Sequence, residues 1–111
     1  MIEKIIIEYL KDALDIEPYL EVPEDKPEKF VTVERTAGRR ENHVYHSSAV
    51  IDSYGRTLAE TVELNDRVVE AMLNITLLDE VCSCELNSNY NDTDTATKEY
   101  RYGALFDLTH Y

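Results

Sequence analysis

The chain reads as an α+β domain, a two-layer sandwich in the order α-β-β-α-β-β, and three observations carry that expectation. Apolar residues recur at three and four in two separate segments, which is the period of a helix with one buried face. Between and after them lie segments that alternate with period two, which is the signature of a strand. The change from one period to the other falls sharply at Ser53-Tyr54-Gly55-Arg56, where a strand hands over to the second helix. Short connections favour antiparallel neighbours, and two one-sided helices need a sheet face to cover. The expected sheet is therefore four-stranded and antiparallel, with both helices on one face and a short extra strand near Leu20.

The first helix is set by Ile2, Ile5, Ile6, Tyr9, Leu10, Ala13 and Leu14, with Glu3, Lys4, Glu8, Lys11 and Asp12 on the other side. Pro18 bounds it. Tyr19-Leu20-Glu21-Val22 reads as the short strand, and Pro23-Glu24-Asp25-Lys26-Pro27 as a surface loop. Phe30 to Thr36 alternates and is rich in β-branched residues, so it is a strand. Ala37 to Asn42, polar and containing Gly38, is expected to connect it to a second strand from His43 to Asp52. Tyr54-Gly55 is read as the break, with glycine supplying a positive φ at the turn. The second helix runs to about Asn74 on Leu58, Ala59, Val62, Asn65, Val69, Met72 and Leu73. Asp79 to Tyr90 is strand three, with Val81, Ser83 and Glu85 on one face and Cys82, Cys84 and Leu86 on the other. Asn87 to Thr97 reads as a loop, and Glu99 to Leu108 as strand four, bringing Tyr100, Tyr102, Leu105 and Phe106.

At 111 residues the chain is expected to be one domain, residues 1–111, with a single core. Its 23 acidic residues against 11 basic ones give a formal charge of −12, which argues against a broad nucleic-acid-binding face. Nine Asp or Glu and four Lys fall between Ile2 and Phe30. Arg35, Arg39, Arg40, Arg56 and Arg67 concentrate basic charge in the middle third, so acidic and basic surfaces are expected to meet between copies. The first helix is interrupted by charge and has no small-residue cleavage site, which argues for an intracellular protein without a membrane span.

No segment presents a catalytic constellation, a cofactor motif or a metal-ligand spacing. Cys82 and Cys84 are too close for a mutual disulfide on one strand and read as packed or half-exposed thiols. Glu34 and Asp52, on adjacent strands, form a carboxylate pair, but acids are too abundant here for one pair to imply acid–base chemistry. His46 beside Ser47-Ser48 lacks the flanking glycines of a nucleophile elbow. Asn91-Asp92-Thr93-Asp94-Thr95 is oxygen-rich but lacks the glycine and final glutamate of a calcium loop; it reads as a hairpin tip, with a divalent site between subunits as the alternative. Arg39 and Arg40 beside Glu41 read as a solvated tip or a contact to a neighbour. Eight tyrosines without tryptophan suggest interface area, densest at Tyr100-Arg101-Tyr102.

Taken together, the amino-terminal helix, the Phe30 to Gly38 strand with its Glu34-Arg35-Thr36 turn, the Asp52-Ser53-Tyr54-Gly55 junction, the helix opening Thr57-Leu58-Ala59-Glu60 and the closing Tyr100-Arg101-Tyr102 resemble small tail-completion proteins of long-tailed bacteriophages and prophages. The resemblance covers nearly the whole chain. It implies a tail terminator: a homo-hexameric ring in the virion that caps the tail tube, stops its growth and offers the surface on which the head connector docks. DNA would pass through the lumen without specific binding, and an acidic lumen would avoid retarding it. Arg39, Arg40, Glu41, Arg56, Asp92, Asp94, Tyr100 and Tyr102 are the subunit-interface candidates. Other readings are a connector, stopper or tail-tube component, and an acidic DNA mimic that inhibits a DNA-binding protein.

Overall fold

Helix α1, Ile2–Leu14, forms on the expected stripe and buries Ile2, Ile6, Leu10 and Leu14. It stops at Asp15, whose left-handed φ of 55° lets its N–H reach the Lys11 carbonyl. The chain then makes a two-residue strand β1, Pro18–Tyr19, which pairs parallel with Val31 and Thr32. This corrects two expectations. The short strand is Pro18–Tyr19 rather than Tyr19 to Val22, whose Leu20 and Val22 are 52% and 42% exposed. The sheet is five-stranded and mixed rather than four-stranded and antiparallel. The parallel step arises because the Pro- and charge-rich segment 20–29 carries the chain back to the end of the sheet where β1 began, as a crossover must.

Strands β2, Phe30–Glu41, and β3, Val44–Gly55, form a hairpin of twelve-residue arms. The turn is Asn42-His43, with φ of 51° and 68°, the positive pair that a two-residue type I′ turn requires. Ala37 to Asn42 is thus not the connection; all but Asn42 is strand. Beyond Val33 every residue of β2 is exposed, because β2 is the edge of the sheet there, and no apolar alternation marks it. A bulge at Thr36 interrupts the pairing.

β3 extends through Ser53-Tyr54-Gly55, and no glycine has a positive φ. Gly55 is needed for a different reason: a Cβ there would lie 2.7 Å from Thr61 Oγ1 and 3.1 Å from Thr61 N. Helix α2, Leu58–Leu73, starts on the N-cap Thr57, whose Oγ1 accepts from Glu60 N at 3.2 Å, while Glu60 Oε2 reaches one residue past the cap and accepts from Arg56 N at 3.3 Å. It buries Thr61, Leu64, Asn65, Val68 and Met72, leaving Leu58 and Leu73 exposed, so the buried stripe is rotated from the expected one. The rotation follows from Asn65, whose amide donates to Asn89 Oδ1 across the layer at 2.6 Å, and from Thr61 packing on Gly55. Tyr9 Oη donates to Ala71 O and Arg67 Nη2 to Leu14 O, which ties the two helices in opposite directions.

After a 3₁₀ turn at Ile75–Leu77, strands β4, Val81–Asn91, and β5, Tyr100–His110, complete the sheet in the order β1-β2-β3-β5-β4. Bulges at Cys82 and Asn87 shift the register of β4. The first places Val81 with Cys84 and Leu86 on the core side instead of with Ser83 and Glu85. The second lets the strand continue through Asn91, where a loop was expected. One sheet face supplies Val31, Val33, Ala49, Ile51, Ala104, Phe106 and Leu108 to a core closed by the buried residues of α1 and α2. No helix is long and apolar enough to cross a membrane.

Candidate functional site: the open face of the sheet

The face turned away from the helices has no second layer over it, although its Phe30, Thr32 and Tyr54 end is buried, and pairing registers arrange its side chains in rows across the strands. The outermost row runs Phe30, Tyr54, Arg101 and on to Asp92. Phe30 and Tyr54 stack with centroids 4.4 Å apart, Tyr19 of β1 meets Phe30 edge-on at 6.0 Å, and Arg101 Cζ lies 5.9 Å from the Tyr54 centroid. Arg101 Nε is 3.1 Å from Asp92 Oδ2, an ion pair without hydrogen-bond alignment. The next row is Thr32, Asp52, Gly103 and Tyr90. Gly103 leaves room for the Tyr90 ring to lie on it; an added Cβ would sit 2.7 Å from Cζ and push the ring aside.

Asp52 is the most perturbed carboxylate of this face. Burial pushes it up to about 6, Arg101 pulls it back, and Asp92 and Glu34 add repulsion. One of its oxygens, Oδ1, is buried without a hydrogen bond. The folded state therefore favours the protonated form: stability from this group is full below pH 3.8 and is lost as the pH rises through about 6. Asp52→Asn is expected to stabilise the protein at neutral pH by about 1–2 kcal/mol, the full shift being discounted because the group is only partly buried. Urea midpoints at pH 7.5 and at pH 4, by convention one above and one below the shifted value, check this. An equal gain at both would mean that charge is not the cause.

Further along the face come Glu34, Val50, Leu105 and Ser88, then Ala37, Ser48, Asp107 and Glu85, then Arg39, His46, Thr109 and Ser83. The last two rows line a shallow groove of about 440 Å³. Asp107 is held in it by Ser48 Oγ and Asn87 Nδ2, each donating at 2.9 Å. On the reverse side of the hairpin, Arg40 Cζ lies 5.7 Å from the Tyr45 centroid, and Tyr45 stacks on the buried His110 at 5.5 Å. His110 Nε2 is 2.8 Å from Ser47 Oγ, and burial pushes its imidazole below the usual value.

The interface candidates fall into two groups at opposite ends of the sheet. Arg39, Arg40 and Glu41 occupy the hairpin arm, where Arg39 pairs with Glu41 at 2.7 Å and Arg40 Nη2 lies 3.0 Å from His43 Nδ1. Arg56, Asp92, Asp94, Tyr100 and Tyr102 gather at the other end. Arg56 pairs with Glu28 at 2.8 Å, Asp92 with Arg101, and Asp94 accepts from Ala96 N and Thr97 N in the β4–β5 connection, which holds its carboxyl below the usual range. Tyr100 borders a hollow of about 280 Å³ with Lys26, Phe30 and Tyr54, whereas Tyr102 is half-buried opposite Ser53 on the core side. Glu34 and Asp52 are brought together as diagonal neighbours on the open face. Arg101, expected only as part of the Tyr100-Arg101-Tyr102 patch and not as a site residue in its own right, lies on the open face opposite its flanking tyrosines, where strict alternation places it.

No group of three or more His, Cys, Asp or Glu side chains is arranged to hold a metal ion. Cys84 is half-buried against the core, and burial raises its thiol to about 12, which suppresses the nucleophilic thiolate at neutral pH. No family profile matches the chain, and comparison with curated proteins gives no match.

Proposed function

We propose that this protein is a phage tail-completion subunit, a tail terminator that assembles as a homo-hexameric ring on the end of the tail tube and presents the docking surface for the head connector. The observation that carries the reading is the uncovered sheet face, which displays Glu34, Asp52, Glu85, Asp92 and Asp107 against Arg39 and Arg101. In the two-layer sandwich of this reading, the helices form the outer layer of the ring and this face lines the lumen. A carboxylate-rich wall repels phosphate and so lets DNA through without holding it, because each phosphate neutralised by Lys or Arg would add affinity. The formal charge of −12 supports the same role. The hairpin arm and the Arg56–Tyr100 end are the surfaces left to contact neighbours, tube and connector.

Deleting the gene from the phage or prophage that encodes it and imaging the lysate by negative-stain electron microscopy tests the reading. Overlong, headless tails beside filled heads are expected. Tails of normal length that fail to join heads would reassign the protein to a connector or stopper role, and intact virions would refute a structural role.

A further inference from the structure

Two strand edges of the sheet have no partner. β1 covers β2 only at Val31 and Thr32, and from Glu34 to Glu41 the β2 backbone bonds to β3 alone. At the other side of the sheet β4 bonds to β5 and, beyond Val81, to no further backbone. Free edges are ordinarily blunted by Lys, Pro or a covering element. From Cys82 to Asn91 β4 contains no Lys, Arg or Pro, and no further strand pairs with it.

The two edges fit each other. Between its bulges β4 is regular over Ser83–Leu86, and beyond its own bulge β2 is regular over Ala37–Glu41. These stretches stand at the same height, since the rows across the sheet join Ala37 to Glu85 and Arg39 to Ser83 through β3 and β5. Their charges favour the match: the β2 stretch carries Arg39 and Arg40 against the one acid Glu41, which Arg39 now pairs with inside the subunit, whereas Asp79, Glu80 and Glu85 lie along and just before the β4 stretch with no basic residue among them. Their directions also suit. Three successive antiparallel pairings make β4 run opposite to β2 within one subunit, so a copy rotated about an axis parallel to the strands offers its β2 antiparallel to β4.

We infer that a second copy of this chain pairs its hairpin arm with β4, Ala37–Arg39 against Ser83–Glu85 with Ala37 opposite Glu85 and Arg39 opposite Ser83, so that subunits join head to tail into one continuous sheet. Glu85 then stands beside Ala37 and diagonal to Arg39 of the neighbour, on the open face, within reach of an ion pair. A head-to-tail contact of this kind uses two different patches per copy and closes when the rotation per subunit divides the circle. The inference rests on the ring reading for that closure.

The test places cysteines in a background carrying Cys82→Ser and Cys84→Ser. Glu85→Cys combined with Ala37→Cys or Arg39→Cys is expected to give, on mild oxidation, a ladder of multimers on a non-reducing gel that collapses with reductant. Glu85→Cys with Arg40→Cys, on the opposite face, should stay monomeric. Without cysteine pairs, Glu85→Arg should lose the multimers seen by sedimentation, and Glu85→Arg with Arg39→Glu should restore them. Multimers that form without either ladder and ignore charge reversal would overturn edge pairing while leaving the ring. Monomers in every experiment would also overturn edge pairing, and the ring reading would still be judged separately by tail length in the deletion lysate.

Discussion

Phe106→Ala is expected to destabilise the protein by about 3–5 kcal/mol, the range for removing a fully buried aromatic side chain. Phe106 has 0% exposure and sits in β5 between Ala49 on one side and Leu86 on the other, facing the helices. The ring is the largest of the fully buried side chains, and its alanine neighbour in β3 cannot expand to fill the space it leaves. A domain of this size has a total stability on the order of 5–15 kcal/mol, so the variant stands near the limit of folding. A urea titration would read the loss as a lower midpoint with an unchanged slope. A loss below about 1 kcal/mol would mean that the two layers collapse freely around the gap, contrary to a close-packed core.

Gly55→Ala is expected to cost about 1–3 kcal/mol, the range for overpacking a closed contact. The new methyl would meet Thr61 at Oγ1, N and Cα, at 2.7, 3.1 and 3.3 Å. Two of these atoms belong to the backbone of α2, and the third is fixed by its bond to Thr57 O at 2.7 Å. The helix must therefore move as a body away from β3. Combining the change with Thr61→Ala removes the closest clash and should recover part of the loss, leaving the backbone contacts unrelieved. Gly103→Ala is the informative contrast. Its added atom meets only the outer end of the Tyr90 ring, which lies on an exposed strand end and can swing aside. Equal losses at the two glycines would show that the helix approach is not the cause at Gly55.

Helix α1 was legible because it is covered on one side, so burial imposes its period on its composition, and the first four residues of β2 because all four are buried and three of them are β-branched. The outer halves of β2 and β4 were not. Arg39, Arg40 and Glu41 or Asn87, Ser88 and Asn89 are strand residues held by cross-strand backbone bonds and polar side-chain contacts, and nothing apolar marks them. Bulges compounded this. Cys82 and Asn87 each break the two-residue alternation, so a sequence period read straight through β4 puts Val81 on the wrong face. The parallel pairing of Pro18–Tyr19 depends on where the following loop returns, which two residues cannot encode. For the open face, Glu34 and Asp52 could be named as a pair from their strands. The raised carboxyl of Asp52 could not, since it depends on Arg101, Asp92 and burial supplied from other strands.

The bulge at Thr36 acts as a phase shifter. Strict alternation from Val31 and Val33 would carry Ala37, Arg39 and Glu41 onto the helix side of the sheet, whereas the one inserted residue turns them to the open face with Glu34 and sends Gly38 and Arg40 to the other side. A single residue thus decides which half of the hairpin's side chains, and with them which charges, the open face displays.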